Sequence, residues 1–140
     1  PAPTEEVFSF FAEAENLERI TPPELAFDIV TPLPVKMATG TVLDYRLRLA
    51  GIPFRWRSHI AVWDPPFRFV DEQWVGPYAE WVHLHTFEAA PEGTWVRDRV
   101  RYRLPLHPSS LLVAALVRRQ LHRIFTYRAR AVRELLVRPS

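Results

Sequence analysis

Residues 110–137 read SLLVAALVRRQLHRIFTYRARAVRELLV, and this stretch decides the fold. It contains no glycine or proline, and the two serines at 109 and 110 suit the start of a helix. A helix of this length would be about 40 Å long, enough to cross a small domain. Winding it at about 100° per residue predicts one apolar side. The residues on that side are Val113, Val117, Leu121, Ile124, Ala131, Val132 and Leu135.

The opposite side of this helix is basic. Its residues are Arg118, Arg119, Arg123, Arg130 and Arg133. Arg128 is the exception, because it falls inside the apolar stripe. A guanidinium does not give up its charge, so burying it without a partner would cost roughly several kcal/mol. We therefore expect Arg128 to pair with an inward-facing carboxylate, Asp98 or Asp71, or to extend its stem to the cavity mouth.

Size and composition indicate one folded domain, residues 1–140. The chain is 48% hydrophobic, which is enough for a single substantial core. It has no apolar run long enough for a membrane span and no visible secretory leader, so we expect a cytoplasmic protein. Cysteine is absent, which excludes a disulfide framework. The net charge is +2, and every basic residue except Lys36 is arginine.

The remainder of the chain predicts two short helical segments followed by a sheet. A first helix starts at Pro3 and Thr4 and runs to Asn16, which is expected to cap a second helical turn. From residue 41 apolar and polar residues alternate, which is typical of strands with one buried face. The predicted strands are 25–31, 41–49, 52–62, 67–75, 78–88 and 94–104. Turn residues separate them, so we predict an α+β fold: an antiparallel meander covered by the long helix.

Four stretches carry a resemblance to a known family: PTEEVFSFFAEAENLERITPP, GTVLDYRLRLAGIPFRWRSHI, RFVDEQWVGPYAEWVHLHTFE and RDRVRYRLPL. Together they resemble the START-like, polyketide cyclase/dehydrase-like (SRPBCC) superfamily, in particular its small bacterial ligand-binding members. The resemblance implies a helix-grip fold, in which a curved antiparallel sheet wraps around a long C-terminal helix. These patterns support a fold more strongly than an activity.

The resemblance also implies a strand that this sequence does not contain. Members of the superfamily begin with a strand before the first helix, whereas residues 1–16 begin with the helix. Without that strand the edge of the strand at 94–104 would be unpaired. We therefore expect about ten further residues before Pro1 in the natural protein, paired with this edge.

Alternation along the strands predicts a polar cluster on the inward face. Residues 81–87 read W-x-H-x-H-x-F, which puts the two histidines on one side of a strand. Asp71 and Gln73, Asp98 and Tyr102 fall on the same face of neighbouring strands. The residues expected to line a ligand site are Tyr45, Leu47, Phe54, Trp56, Phe69, Asp71, Gln73, Trp81, His83, His85, Asp98, Tyr102, Leu121, Ile124 and Arg128.

Four interpretations fit this cluster. It could be an internal network that orients the strands and the helix, because buried polar groups need partners. It could be the polar end of an apolar ligand cavity. His83 or His85 with Asp98 could act as acid and base, although no local motif identifies a base. Two histidines two residues apart with a carboxylate could also hold a metal, but such pairs are common by chance.

Alternation along the strands also predicts a row of arginines on the outer face of the sheet. These are Arg46, Arg48, Arg55, Arg57, Arg97, Arg99, Arg101 and Arg103. Such a row could bind phosphates, yet Asp44, Glu72 and Glu80 are available as cross-strand partners. The chain has no nucleic-acid-binding motif, so a solvated sheet face is the favoured interpretation.

The sequence therefore predicts a domain that binds an apolar or amphipathic small molecule, such as a lipid, a polyketide-like compound or an aromatic compound, between sheet and long helix. The alternative is an enzyme of the cyclase or dehydratase type that uses His/Asp acid–base chemistry. A protein-interaction or coenzyme Q-handling module is a third possibility that the resemblance allows. We expect no cofactor, no resident metal and no nucleic acid partner. The ligand's identity and the oligomeric state do not follow from the sequence.

Overall fold

The computed structural model describes residues 2–49, 51–105 and 110–136, with side chains of the last segment from residue 114 onward. Within these residues, three α-helices, a 3-10 turn and six strands follow one another. They are α1 (Thr4–Ala12), α2 (Asn16–Arg19), the 3-10 turn (Pro23–Leu25), β1 (Asp28–Ile29), β2 (Val42–Leu49), β3 (Ile52–Asp64), β4 (Arg68–Val75), β5 (Glu80–Ala90), β6 (Gly93–Arg103) and α3 (Ser110–Leu136). The proposed serine cap at 109 and the side chain of Val113 lie outside the described residues.

The six strands form one antiparallel sheet in the order of the chain, β1 to β6. Gly51 connects β2 and β3 with φ +79°, a conformation that glycine adopts without strain. Alternation holds best in β5, where Trp81, His83, His85 and Phe87 are buried and the residues between them are half-buried. Sheet, long helix and short N-terminal helices together confirm the predicted α+β helix-grip architecture.

The region before β2 differs from its prediction. A strand was expected over residues 25–31, but β1 contains only Asp28 and Ile29, paired with Arg46 and Tyr45. Proline fixes the backbone of the preceding turn, and Ala26 adopts a left-handed conformation with φ 47°. The chain therefore turns sharply before it reaches the sheet, which leaves little length for pairing.

Asn16 does not cap the second helix as predicted. Its side chain is buried, and Nδ2 donates to the carbonyl oxygen of Phe10 at 2.8 Å while Oδ1 accepts from Arg19. It therefore adds a donor to a carbonyl at the end of α1, which also accepts from the backbone nitrogen of Glu13, and does not satisfy N–H groups at the start of α2. The side chain ties the two short helices together.

Two apolar clusters fill the space between sheet and helices. In one, Phe8 and Phe11 of α1 pack on Phe69 and Phe87 of the sheet, next to the end of α3 around Val132. The other cluster packs the opposite part of the sheet against the earlier turns of α3. Its buried members are Leu25, Leu47, Trp56, Tyr78 and Trp81. Members of both clusters line a cavity that also contains the polar side chains of the sheet.

Strand β6 forms one edge of the sheet, since among the described residues it pairs with β5 alone. A groove of about 720 Å³ borders β6 and α3, with Trp95 and Val96 on one side and Val132 and Leu136 on the other. A strand before residue 1 that pairs with this edge therefore stays a prediction. Within the described residues, no helix has an apolar stretch long enough to cross a membrane.

Candidate functional site

A central cavity of about 150 Å³ lies between the concave face of the sheet and α3. Its wall is largely apolar and aromatic, as in most small-molecule sites. Trp56, Phe69 and Trp81 contribute from the strands, and Leu121, Ile124 and Phe125 contribute from α3. A small group of polar side chains interrupts this wall at one end.

The polar group, called the charged cluster below, consists of Asp71, His83, His85, Asp98 and Arg128. Each sheet member points inward because it follows the alternation of its strand, and α3 supplies the arginine. His83 and His85 stack with 3.6 Å between ring centroids, and Phe69 stacks on the other face of His85 at 3.9 Å. This stacking fixes the orientation of both imidazoles.

Arg128 is paired with the sheet. The residue is only 8% exposed. Its Nε lies 3.3 Å from Asp98 Oδ2 and its Nη2 lies 3.2 Å from Asp98 Oδ1, a two-point contact. The same Nη2 lies 3.0 Å from His85 Nδ1, and the guanidinium carbon is 5.1 Å from the ring centre of Phe11. The exception in the apolar stripe is therefore a link between helix, sheet and α1.

The two aspartates reach diagonally across the strands to the histidines. In register, Asp71 stands opposite His83 and Asp98 stands opposite His85. The hydrogen bonds instead join Asp71 Oδ2 to His85 Nε2 at 2.5 Å and Asp98 Oδ1 to His83 Nε2 at 2.8 Å. Both contacts are diagonal, so β4, β5 and β6 are cross-linked through one polar layer.

The hydrogen bonds determine where the imidazole hydrogens lie. An ionised carboxylate only accepts, so Nε2 of each histidine carries a hydrogen. Nδ1 of His85 faces a guanidinium, which only donates, so this nitrogen must accept. Burial and the neighbouring His83 lower the pKa of His85 to about 3, although Asp71 acts in the opposite direction. His85 is therefore a neutral imidazole at neutral pH.

Both aspartates are ionised within this layer. Burial alone would raise the pKa of Asp98, but Arg128 and the hydrogen bond from His83 hold that pKa well below its ordinary value. Burial also opposes ionisation of Asp71, yet His85, His83 and Arg128 keep its pKa below the usual range. The two carboxylates of Asp71 and Asp98 thus face the single guanidinium of Arg128. These three groups together carry one net negative charge.

A second polar contact lies on β2 and β3. Trp56 Nε1 donates to Ser58 Oγ at 3.0 Å, and Tyr45 Oη lies 3.2 Å from the same oxygen. Burial, with the nearby charge of Asp71, raises the pKa of Tyr45 far above the ordinary value. Tyr45 therefore remains a neutral hydroxyl in the cavity wall.

Asp71, His83 and His85 each bring a ligand atom within 4.8 Å of the others, as a metal ion would require. Histidines that bind metals normally direct their other nitrogen to an acceptor. His85 instead directs Nδ1 at the Arg128 guanidinium, 3.0 Å away. If Nε2 of His85 bound a metal, the hydrogen of the neutral ring would be on Nδ1. It would then point at the N–H donor of Arg128, and the two donors would repel each other. The donor set does not fit a metal, and the absence of a resident metal stays a prediction.

The structure brings eleven of the fifteen predicted site residues to the cavity wall. These are Tyr45, Leu47, Trp56, Phe69, Asp71, Trp81, His83, His85, Leu121, Ile124 and Arg128. It places Phe54, Gln73, Asp98 and Tyr102 away from the wall. Phe54 lies near the start of β3, and Tyr102 packs on Tyr78 and Trp81. Asp98 lies behind Arg128 and His83 and borders the groove along β6.

Gln73 makes a structural contact and takes no part in the wall. Its amide accepts from the backbone nitrogen of Tyr78 at 3.1 Å and donates to the carbonyl oxygen of Tyr78 at 2.7 Å. It therefore closes the turn between β4 and β5. A Cβ at Gly76 would overlap the Gln73 amide that these two bonds hold in place, so this turn favours glycine.

Sequence reasoning missed the other side of the cavity. Leu17, Ile20, Thr21, Leu25 and Phe27 cover it from the segment between α1 and β1. They lie in the four-residue α2, the 3-10 turn and the irregular stretches around them, which are too short to show a strand or helix period in the sequence. This covering segment contacts α3 through an ion pair on the surface, in which Arg123 Nε lies 2.9 Å from Glu24 Oε1.

The arginine row lies on the exposed outer face, as predicted. Arg57 pairs with Asp44 at 2.8 Å, and Arg101 pairs with Glu80 at 2.7 Å. Glu72 instead contacts His59 and the indole nitrogen of Trp74. These pairs support a solvated sheet face, and the absence of a nucleic acid partner stays a prediction.

Solved structures resemble this fold at low sequence identity. The protein TTHA0849 from Thermus thermophilus matches with a TM-score of 0.77 and 20% identity, covering 96% of this chain and 89% of that one. The protein CV1439 from Chromobacterium violaceum matches with a TM-score of 0.74 and 12% identity, covering 99% and 92%. Ara h 8.0201 matches with a TM-score of 0.61 and 17% identity, covering 94% and 91%. These likenesses concern the fold alone.

Sequence comparison extends this result. Among curated proteins, no significant match is found. The model of the family described as "Polyketide cyclase / dehydrase and lipid transport" matches residues 1–133, nearly the whole chain. The match agrees with the curved antiparallel sheet and long C-terminal helix described above. The chain therefore belongs to the polyketide cyclase/dehydrase and lipid transport family.

Proposed function

We propose that this domain binds an apolar or amphipathic small molecule in the central cavity. The observation that carries the proposal is an aromatic cavity of about 150 Å³ with a charged cluster at one end. An apolar wall supplies affinity, and a few polar groups fix orientation. Family membership is consistent with this function, since the family description includes lipid transport.

An apolar fluorescent dye should test the binding site. We expect the dye to bind with increased emission, and Leu121→Trp should weaken its binding by about tenfold or more, because the larger side chain fills the cavity. Leu116→Trp is the matched control: Leu116 is on the same helix but 57% exposed. Equal binding by both variants would show that the dye binds elsewhere, and the proposal would then be wrong.

One observation favours a second function, acid–base catalysis on a bound substrate. Asp98 orients His83 through Nε2, and His83 lines the cavity. A carboxylate behind an imidazole is the arrangement of a general base. His83→Gln should then abolish dehydration of a β-hydroxy ketone while dye binding is kept. If the natural protein binds such a ketone but does not dehydrate it, catalysis on this substrate is excluded.

A further inference from the structure

The polar end of the central cavity offers a carboxylate acceptor to a ligand. Asp71 Oδ2 accepts from His85, whereas Oδ1 has no hydrogen-bond partner among the described residues. His83 uses Nε2 on Asp98, so its Nδ1 is the ring nitrogen left to face Asp71. Nδ1 of His83 and Oδ2 of Asp71 lie 3.9 Å apart. Oδ1 of Asp71 is therefore the acceptor that remains for a hydrogen from a ligand.

The cation beside this acceptor is already engaged. Arg128 directs Nε and Nη2 at both oxygens of Asp98, and Nη2 also contacts Nδ1 of His85. A ligand carboxylate would have to compete with these contacts. It would also add a second anion next to Asp71, where the fixed charges already leave one negative charge uncompensated. Arg128 is therefore a poor receptor for an anionic ligand, despite its charge.

The size of the cavity limits the rest of the ligand. A cavity of about 150 Å³ lined by apolar side chains can hold one benzene-sized ring. Phe69, Trp56 and Trp81 provide faces and edges for such a ring. The polar end then meets one substituent of that ring.

From these observations we infer that the site selects a single aromatic ring carrying a neutral hydrogen-bond donor, such as a phenolic hydroxyl, and rejects a ring carrying a carboxylate. The inference rests on the proposed binding function and specifies its ligand class. The phenolic hydrogen would be donated to Oδ1 of Asp71, the oxygen that His85 does not use. Tyr45 would remain available to the hydroxyl oxygen, because it is a neutral hydroxyl in the same wall.

Calorimetric titration at pH 7 with phenol, benzene and benzoate tests the ligand class. An apolar cavity without a polar preference would bind benzene more tightly than phenol, because a hydroxyl loses its hydration on burial. We expect phenol to bind about tenfold more tightly than benzene, since a hydrogen bond to a charged group contributes more than a neutral one. Benzoate should bind at least about tenfold more weakly than phenol.

Asp71→Asn provides a second readout. His85 Nε2–H would donate to the new carbonyl oxygen, so the amide NH2 would replace Oδ1 and turn the acceptor into a donor. Phenol should lose its advantage over benzene, and benzoate should gain affinity. Asp44→Asn is the matched control, because Asp44 is half exposed on the outer face and paired with Arg57. If Asp71→Asn does not fold, the ranking of the three rings on the natural protein decides alone.

The outcomes separate two failures. Benzene binding as tightly as phenol, or benzoate binding more tightly than phenol, would overturn the ligand class and leave the binding function standing. If no ring binds, the ligand class is also wrong. The proposed function fails only if the apolar dye does not depend on the cavity.

Discussion

Replacing Arg128 with methionine should lower the free energy of unfolding by about 2–3 kcal/mol, because the Asp98 carboxylate, 22% exposed at its side chain, loses its cation and two hydrogen bonds. Methionine retains much of the apolar volume, so the change mainly removes the charge. The contact with His85 Nδ1 would be lost as well. Urea denaturation of the natural protein and the variant would measure the difference.

Two further variants identify the cause. Asp98→Asn in the Arg128→Met background should recover about 1 kcal/mol, since it removes the unpaired charge while His83 can still donate to the asparagine oxygen. Arg130→Met makes the same substitution two residues away on an exposed part of α3 and should change stability by about 0.5 kcal/mol or less. A loss in Arg128→Met no larger than in Arg130→Met would contradict a structural role for the ion pair.

Acid should destabilise the fold well before the carboxylates are protonated. The pKa of His85 is lowered from 6.5 to about 3, so the unfolded chain binds a proton there that the native protein does not. The resulting stability is fully present above the unfolded pKa and is lost as pH falls toward the folded one. Between pH 7 and pH 5 this residue alone should cost about 2 kcal/mol. Asp71 and Asp98, whose pKa values are also lowered, add to the loss at lower pH.

Urea denaturation at several pH values would measure this slope. His85→Gln should flatten the profile between pH 7 and pH 5 by about 2 kcal/mol, because glutamine does not titrate in this range. The variant will be less stable overall, so the slope and not the absolute stability is the diagnostic. A natural protein equally stable at pH 5 and pH 7 would show that His85 is protonated within the fold, against the donor contact from Arg128.

Much of the fold follows from periodicity. The long helix and the strands β2 to β6 were predictable because each has a regular pattern with one buried face. The segment between α1 and β2 was not, because prolines and the left-handed Ala26 shape it and neither creates a period. The strand predicted over residues 25–31 was therefore longer than the observed β1.

The site was partly predictable for the same reason. Alternation put His83 and His85 on the inward face, and the break in the apolar stripe singled out Arg128. Alternation could not show that Asp98 reaches diagonally to His83, nor that Arg128 stands between it and the cavity. It also could not show that Gln73 turns back to the Tyr78 backbone. Such contacts depend on rotamers and register, which a single sequence does not determine.

The cavity is closed on two sides by contacts of unequal strength. Where Arg128 meets Asp98, helix and sheet are joined by an ion pair whose side chains are 10% and 22% exposed, within a network of hydrogen bonds. On the other side the covering segment is joined to α3 by Glu24 and Arg123, whose side chains are 52% and 55% exposed, and a pair this exposed contributes little. The segment is instead held by the burial of Ile20 and Leu25, which are 2% and 6% exposed. Entry and departure of a ligand would therefore require these two side chains to leave the apolar clusters briefly. Residence time would depend on the rate of that local opening, with the helix and the sheet staying together throughout.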